Sequence, residues 1–274
     1  MDWIVTGASR GIGRALTLAL ARKAARGDRL FVLARDEGRL RSLAAEAGGE
    51  GEVIPIPADL ARDGGARAAG TRLAGEVSRG ATLIHNAGVW PTRLALVDGV
   101  EQAFATNCLG LLALQAPLLD AGLVARVLVV SAGLLVKGRF DAEKTPVGAD
   151  FSAFRTYCTT KLAGAVAMRE AARRHPDVDF AVVHPGVVRT DLGDSPGVLG
   201  WIMNLVKRRF EAPEVCADRL VRLLERPQWE AHPGEAPWFH EEQAQPWPVA
   251  VDRDEKAVLA TLDRLRSEAG REAH

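Results

Sequence analysis

The chain of 274 residues has little cysteine and no excess of either charge. Its three cysteines, Cys108, Cys158 and Cys216, lie far apart and form no CxxC pair, which argues against a disulfide framework or a zinc site. We therefore predict free thiols, a reducing compartment and no metal. With 35 basic and 35 acidic residues, the chain lacks the positive excess typical of nucleic-acid-binding proteins. We predict no nucleic-acid partner.

Long apolar runs are also missing. The N-terminus, MDWIVTGASRG, has no basic region followed by a long apolar stretch, so we predict no signal peptide. The most apolar region, residues 109–136, is interrupted by Asp120 and Arg126 and falls short of the roughly 18 uninterrupted apolar residues of a membrane span. The pattern predicts a buried helix leading into a buried strand, no membrane segment and a cytoplasmic location.

Short apolar runs alternate with longer helix-compatible stretches. The runs are continuous rather than alternating, which is typical of parallel strands covered on both faces. We predict an α/β fold, one doubly wound Rossmann-type domain over residues 1–274, with a mostly parallel sheet of about seven strands and helices on both faces. The clearest strands are predicted at 3–5, 30–34, 53–57, 82–85, 127–130 and 180–184, and helices at 14–26, 37–47, 65–78, 100–121 and 156–175.

Beyond Thr190 the pattern loosens. Residues 191–212 are either a surface loop and helix or a lid with apolar residues such as Trp201 and Met203. We favour a substrate lid, because ligands of open α/β sheets bind outside the carboxyl ends of the strands. Spaced apolar residues among charges at 252–268 predict an amphipathic helix on the body of the fold.

A glycine-rich turn joins the first predicted strand to the first helix. It reads TGASRGIG, residues 6–13, with Gly7 for a tight turn, Gly11 for close approach of the backbone to a pyrophosphate, and Gly13 for packing of helix on strand. The helix N-terminus would present free N–H groups to an anion. The turn therefore predicts a dinucleotide site contacted by Thr6, Gly7, Ser9, Arg10, Gly11, Ile12 and Gly13.

The spacing of that turn resembles the cofactor turn of the short-chain dehydrogenase/reductase family. Further motifs follow in the family's order. The resemblance implies that Asp59 and Leu60 border the adenine and that Pro185, Gly186, Val188 and Thr190, in HPGVVRT, contact the nicotinamide and pyrophosphate. HNAG at 85–88 is similar to the family's NNAG, with Asn86, Ala87 and Gly88 beside the cofactor. His85 replaces the first asparagine, and we interpret it as a packing or hydrogen-bonding residue.

The resemblance also implies four catalytic residues, Asn107, Ser131, Tyr157 and Lys161. In the family the asparagine distorts its helix and holds a water that passes protons to the lysine. Ser131 would hydrogen-bond the substrate oxygen, Tyr157 would donate or accept the proton, and Lys161 would also bind the nicotinamide ribose. An oxidoreductase that transfers a hydride between a nicotinamide cofactor and a carbonyl or alcohol is therefore expected.

Residue chemistry independently favours that role for the YCTTK segment. Tyr157 is the only tyrosine, and Lys161 lies one helical turn further on, on the same face. A phenol with a pKa of about 10 is a sluggish base at neutral pH. A neighbouring cation favours the phenolate, so we expect the pKa of Tyr157 to be lowered.

The end of the second strand, Leu33-Ala34-Arg35, favours NADP(H) over NAD(H). NAD-binding proteins of this fold usually place an acid there for the ribose hydroxyls, whereas Arg35 and Arg10 could clamp a 2′-phosphate. Asp36 lies one position later and could bind the ribose hydroxyls, so NAD(H) stays open as the alternative cofactor.

The long interval between Ser131 and Tyr157 resembles the branch that contains retinol dehydrogenases and the oxidoreductase fused to WW domains. Relatives there often carry a membrane anchor; we carry over neither the anchor nor retinoid specificity. The apolar residues of the predicted lid favour an apolar or aromatic substrate, and pairing of two chains through helices 100–121 and 156–175 is open. Two alternatives stay open: a non-catalytic dinucleotide-binding sensor or scaffold, and an isomerase or epimerase.

Overall fold

A computed structural model of the chain describes residues 1–187, 211–229 and 232–272. Val188, Thr190 and nearly all of the predicted lid at 191–212 lie outside the described residues. The predictions made for them therefore stay predictions.

The fold is built on a sheet of eight strands. In chain order the strands are β1 (Asp2–Thr6), β2 (Arg29–Ala34), β3 (Glu52–Pro57), β4 (Ala81–His85), β5 (Leu96–Val97), β6 (Val100–Glu101), β7 (Val124–Val130), β8 (Asp179–His184), β9 (Trp238–His240) and β10 (Gln243–Gln245). The sheet order is β10-β9-β8-β7-β4-β1-β2-β3, and β5 with β6 forms a separate hairpin. All neighbours in the large sheet are parallel except β9 and β10.

This topology confirms the predicted doubly wound, mostly parallel sheet. The prediction of about seven strands missed the antiparallel edge. At three residues each, β9 and β10 are too short to carry a hydrophobic period, and β10 is fully exposed with the sequence QAQ.

Besides a short 3₁₀-helix at Gly133–Lys137, seven helices are described around the sheet. They are α1 (Gly11–Lys23), α2 (Glu37–Glu46), α3 (Asp63–Glu76), α4 (Gln102–Asp120), α5 (Ala153–Arg174), α6 (Pro213–Leu224) and α7 (Val249–Glu272). The predicted start of α4 at residue 100 is wrong, because Val100 and Glu101 pair with β5. The Glu101 carboxylate then caps α4 by accepting a hydrogen bond from the N–H of Phe104 at 2.8 Å.

Both faces of the sheet are covered, as the continuous apolar strands predicted. Ile4 and Phe31 belong to a core shared with α3, α4, α5 and α7, whereas Val5 and Val32 belong to a second core shared with α1, α2 and α6. Successive residues of one strand thus enter opposite cores.

Within the described residues, α4 is the one helix that is long and apolar enough to cross a membrane. However, 72% of its most apolar window is buried inside the fold. We therefore describe α4 as a core helix, which agrees with the buried helix predicted for this region.

Candidate active site

The glycine-rich turn connects β1 to α1 with the backbone geometry expected from the sequence. Gly7 and Gly11 have φ angles of +67° and +54°, the left-handed region that favours glycine. A Cβ atom on Gly7 would lie 2.8 Å from Cα of Ala87, and one on Gly13 would collide with the carbonyl oxygen of Gly7. The turn therefore packs against the end of β4 with no room for side chains.

Thr6 and Asn86 hold that turn in place. The Thr6 hydroxyl oxygen accepts hydrogen bonds from the backbone N–H groups of Asn86 at 3.0 Å and Ala87 at 2.9 Å. The Asn86 side-chain amide donates to the carbonyl oxygens of Thr6 at 3.0 Å and Gly7 at 3.3 Å. Thr6 is fully buried and does not line the cleft described next, so its described role is to position the turn.

A cleft of about 680 Å³ runs along the carboxyl ends of the strands. Two predicted residues, Gly13 and Asn107, lie behind its wall, as Thr6 does. The structure brings the other described candidates together in its lining: Gly7, Ser9, Arg10, Gly11, Ile12, Arg35, Asp59, Leu60, Asn86, Ala87, Gly88, Ser131, Tyr157, Lys161, Pro185 and Gly186.

The predicted distortion at Asn107 is present as a π-helical turn, Ala105–Leu109, inside α4. The Asn107 side-chain nitrogen donates to the carbonyl oxygen of Val89 at 2.9 Å and to the Thr160 hydroxyl at 3.0 Å. Its oxygen accepts from the N–H of Val89 at 2.8 Å. The amide thus connects α4, α5 and the loop after β4, and these bonds offset its burial.

Ser131, Tyr157 and Lys161 meet at one end of the cleft. Ser131 follows β7, and its hydroxyl has no partner among the described residues. Tyr157 and Lys161 lie one turn apart on α5, and the Lys161 ammonium donates to the carbonyl oxygen of Val130 at 3.1 Å. The Tyr157 ring stacks on Trp90, with 4.3 Å between centroids and 8° between planes.

Burial controls the ionisation of this group. Desolvation raises the pKa of Tyr157 to about 12 and lowers the pKa of Lys161 to about 8. The lowered pKa expected for Tyr157 from its neighbour is therefore wrong for the protein alone, because desolvation by burial penalises the phenolate. Lys161 is still mostly protonated at neutral pH.

Two contributors were missed from the sequence. Arg39, on the first turn of α2, lines the same end of the cleft as Arg10 and Arg35. Its Nε lies 3.2 Å from the Asp36 carboxylate, which also caps α2 by accepting from the N–H of Arg39 at 3.0 Å. The signal available in the sequence was a further arginine close to Arg35, which itself precedes the N-cap of α2. His184, at the end of β8, also lines the cleft.

The cleft suits a dinucleotide cofactor. The N-terminus of α1 and the glycine-rich turn border one end, and the buried cation of Lys161 borders the other. Such a terminus presents N–H groups and a positive dipole to phosphate. Towards the other end, Ser131, Tyr157 and Lys161 in the lining can take part in proton transfer.

Comparison with known proteins agrees with this geometry. The family model described as short chain dehydrogenase matches residues 3–196. Human retinol dehydrogenase 14 is 32% identical over 84% of this chain and 76% of its own length. Human retinol dehydrogenase 13 is 33% identical over 72% of this chain, and the chain spans 62% of that relative.

Solved structures share the fold. An alcohol dehydrogenase from Thermococcus sibiricus, complexed with 5-hydroxy-NADP, is 25% identical with a TM-score of 0.62 over 90% of this chain and 99% of its own. A short-chain dehydrogenase from Sphingobium yanoikuyae in complex with NADPH is 22% identical with a TM-score of 0.64, over 98% of this chain and 94% of its own. The family match covers well over half of the chain, and the named relatives are retinol dehydrogenases. The chain therefore belongs to the short-chain dehydrogenase/reductase family of NAD(P)-dependent oxidoreductases, in its retinol dehydrogenase-like branch.

Proposed function

We propose that the protein is an NADP(H)-dependent reductase of carbonyl compounds, or in reverse an alcohol dehydrogenase, with Tyr157 as its general acid and base. One observation carries the proposal: Ser131, Tyr157 and Lys161 line the same cleft as the glycine turn. A phosphate-binding turn alone would serve a sensor equally well. A serine, a phenol and a buried ammonium at the other end are what proton transfer to a carbonyl oxygen requires.

The cofactor supplies the hydride when bound, and the chain supplies position and protons. The free Ser131 hydroxyl orients the substrate oxygen. Tyr157 gives that oxygen its proton as negative charge develops there. Lys161, held by Val130 at 3.1 Å, keeps a positive charge beside the phenol, and Asn107 keeps α4 and α5 in register behind it.

The test is NADPH oxidation across a panel of aldehydes and ketones, followed by absorbance. Tyr157→Phe is the matched control, because it retains the ring stacked on Trp90 and removes only the hydroxyl. We expect turnover with at least one class of carbonyl and its loss by a factor on the order of 10² or more in the variant. NADPH binding without turnover would instead favour a sensor or scaffold, and turnover without net oxidation of NADPH an isomerase or epimerase.

Three arginines support the preference for NADP(H). Arg10, Arg35 and Arg39 line the cleft where β2 ends. The nearby acid, Asp36, is engaged by the N-terminus of α2 and by the Arg39 guanidinium. It is therefore less free to bind ribose hydroxyls, while a 2′-phosphate would find guanidinium donors.

An apolar or aromatic substrate is supported by the wall beside Tyr157. Trp90 stacks on the phenol and lies 6.2 Å from the ring of Phe154, and Leu134 and Val187 line the same cleft. Relatives named for retinol, an apolar alcohol, agree with this proposal. We expect bulky aromatic ketones to have a higher kcat/KM than small polar ones; equal values would contradict this.

The cytoplasmic location and the absence of a membrane partner stay predictions.

A further inference from the structure

A second, much smaller cavity lies behind the cleft. Its volume is about 10 Å³, and its lining includes His85, Asn107, Ser131, Lys161 and Gly164. That is about the room one water molecule needs, provided that two to four polar groups face it. Gly164 lets α5 approach α4 closely beside this cavity, since a Cβ there would lie 2.6 Å from the carbonyl oxygen of Asn107.

Three residues of this cavity's lining, His85, Ser131 and Lys161, carry polar groups with unused hydrogen-bonding capacity. His85 Nδ1 and Ser131 Oγ are buried and have no partner among the described residues. The Lys161 ammonium has three N–H groups and donates one to Val130 at 3.1 Å. The Asn107 side chain is already committed to Val89 and Thr160. Leaving a buried polar atom unpaired is unfavourable, and one water here would satisfy several such groups at once.

The state of the His85 ring determines what it can offer. His85 is 1% exposed, and its Nε2 lies 3.1 Å from Oε1 of Gln115. With that oxygen as the acceptor, the hydrogen lies on Nε2 and Nδ1 presents a lone pair. Burial lowers the pKa of His85 to about 4, so the ring is neutral at physiological pH.

We propose that His85 is a positioning residue for Lys161: its Nδ1 holds one water in the small cavity, and the oxygen of that water accepts a hydrogen bond from the Lys161 ammonium. The water donates one hydrogen to His85 and has a second for Ser131 or the Asn107 backbone. This arrangement favours the charged form of a buried lysine. The catalytic consequence rests on the proposed function, whereas the contact with Lys161 does not.

Few charged groups compete with this contact. From α4 the cavity is faced by Asn107 and Leu111, and from β7 by Val129, Val130 and Ser131. Two residues of the lining have side chains that can carry a charge, Lys161 on α5 and His85 on β4. Tyr157 lies in the neighbouring cleft. A change at position 85 should therefore be felt first by Lys161.

Three substitutions separate the two ring nitrogens. His85→Asn keeps a polar atom near the position of Nδ1 and loses the contact with Gln115. His85→Gln reaches towards Gln115 and removes the group at Nδ1. His85→Leu removes both. If only the packing of the His85 ring mattered, the change in the Lys161 pKa would follow each variant's loss of stability. Thermal unfolding measures that loss in parallel.

The direct readout is the Lys161 pKa, followed by NMR of ¹³C-labelled lysine ε-carbons. The chain has six lysines, and Lys161→Met assigns the signal. The wild-type pKa should lie near 8, and His85→Asn should keep it. His85→Leu and His85→Gln should lower it by about half a pH unit or more, because the charged form loses a partner. Equal pKa values in all three variants, or a loss in His85→Asn as large as in His85→Leu, would overturn the proposal.

Kinetics then test the consequence. In the reduction direction, the alkaline limb of the kcat/KM profile should move to lower pH in His85→Leu and His85→Gln and stay in place in His85→Asn. A wild-type protein without carbonyl reduction would refute the proposed function and leave the NMR result standing. Active variants with unchanged Lys161 titration would refute only the role of His85.

Discussion

Lys161 carries an ammonium with 9% of the residue exposed, and burial lowers its pKa from 10.5 to about 8. Below pH 8 folded and unfolded chains both bind the proton, so the full penalty of burying the charge applies. Between pH 8 and 10.5 the unfolded chain binds more protons, and the free energy of unfolding therefore rises with pH. The catalytic candidate is thus a source of instability, as active sites often are.

We expect Lys161→Met to raise the free energy of unfolding at pH 7 by about 1–3 kcal/mol, because it removes a buried charge and keeps an unbranched apolar side chain. The variant should also lack the rise in stability between pH 8 and 10.5 and should lose carbonyl reduction. Urea denaturation at pH 7 and pH 10 measures both effects. A variant less stable than the wild type at pH 7 would contradict the prediction.

The proposed preference for NADP(H) depends on individual residues too, the arginines of the cleft where β2 ends. Arg35→Asp should weaken NADPH binding far more than NADH binding. The substitution replaces a guanidinium that would donate hydrogen bonds to the 2′-phosphate with a carboxylate that repels it. Arg39→Ala should weaken NADPH binding by roughly tenfold through the loss of one charge-assisted contact. Arg41, two positions on, pairs with Glu37 at 2.6 Å and lies outside the cleft lining, so Arg41→Ala is the matched control. Cofactor titrations that find equal losses for both cofactors would refute the assignment.

At the scale of elements, the strand ends place the chemistry and the glycines let the elements approach. A Cβ on Gly13 would collide with Gly7 and Asn86, whereas a Cβ on Gly75, in α3, meets nothing within 4 Å. The two positions therefore form a matched pair within helices.

Gly13→Ala should weaken NADPH binding by on the order of 10² or more, because α1 must move away from the turn that faces the phosphates. Gly75→Ala should bind NADPH as the wild type does and gain about 0.5–1 kcal/mol from helix propensity. Fluorescence titration with NADPH and thermal unfolding of both variants give the comparison. Wild-type affinity in Gly13→Ala would show that the close packing is not needed.

At the scale of the whole molecule, α7 lies against α5. Val251, Val258 and Leu262 of α7 are buried in the core that α5 shares. Arg169 and Arg173 of α5 pair at 2.6 Å with Asp252 and Glu255 of α7, respectively. One face of α5, a helix that the sequence left open for pairing between chains, is thus covered by the chain's own helix α7.

We expect the full chain to have a monomer's mass in light scattering at micromolar concentration. Removal of residues 249–274 should expose the apolar face of α5 and produce dimers or larger species together with a lower unfolding temperature. Arg173→Ala removes an ion pair whose arginine is about half exposed. This substitution should leave the mass of the full chain unchanged. A full chain that dimerises through α5 would contradict this interpretation.

Local chemistry made much of this protein predictable from its sequence. The alternation of continuous apolar runs and helical stretches determined the doubly wound sheet, since each strand must be covered on both faces. The glycine spacing between β1 and α1 determined the turn, because Gly7 and Gly11 have φ angles that other residues rarely adopt. The separation of four positions placed Tyr157 and Lys161 on one helical face.

Tertiary structure decided what depends on contacts between distant segments. The pKa of Tyr157 rises because folding buries its phenol. Trp90, 67 positions earlier in the chain, stacks on that ring, and no local pattern indicates the contact. Thr6 positions the turn because its hydroxyl meets the end of β4. The short strands β9 and β10 form because an edge of the sheet was open to them. Desolvation and pairing across the chain are properties of the folded packing, so only the fold could reveal them.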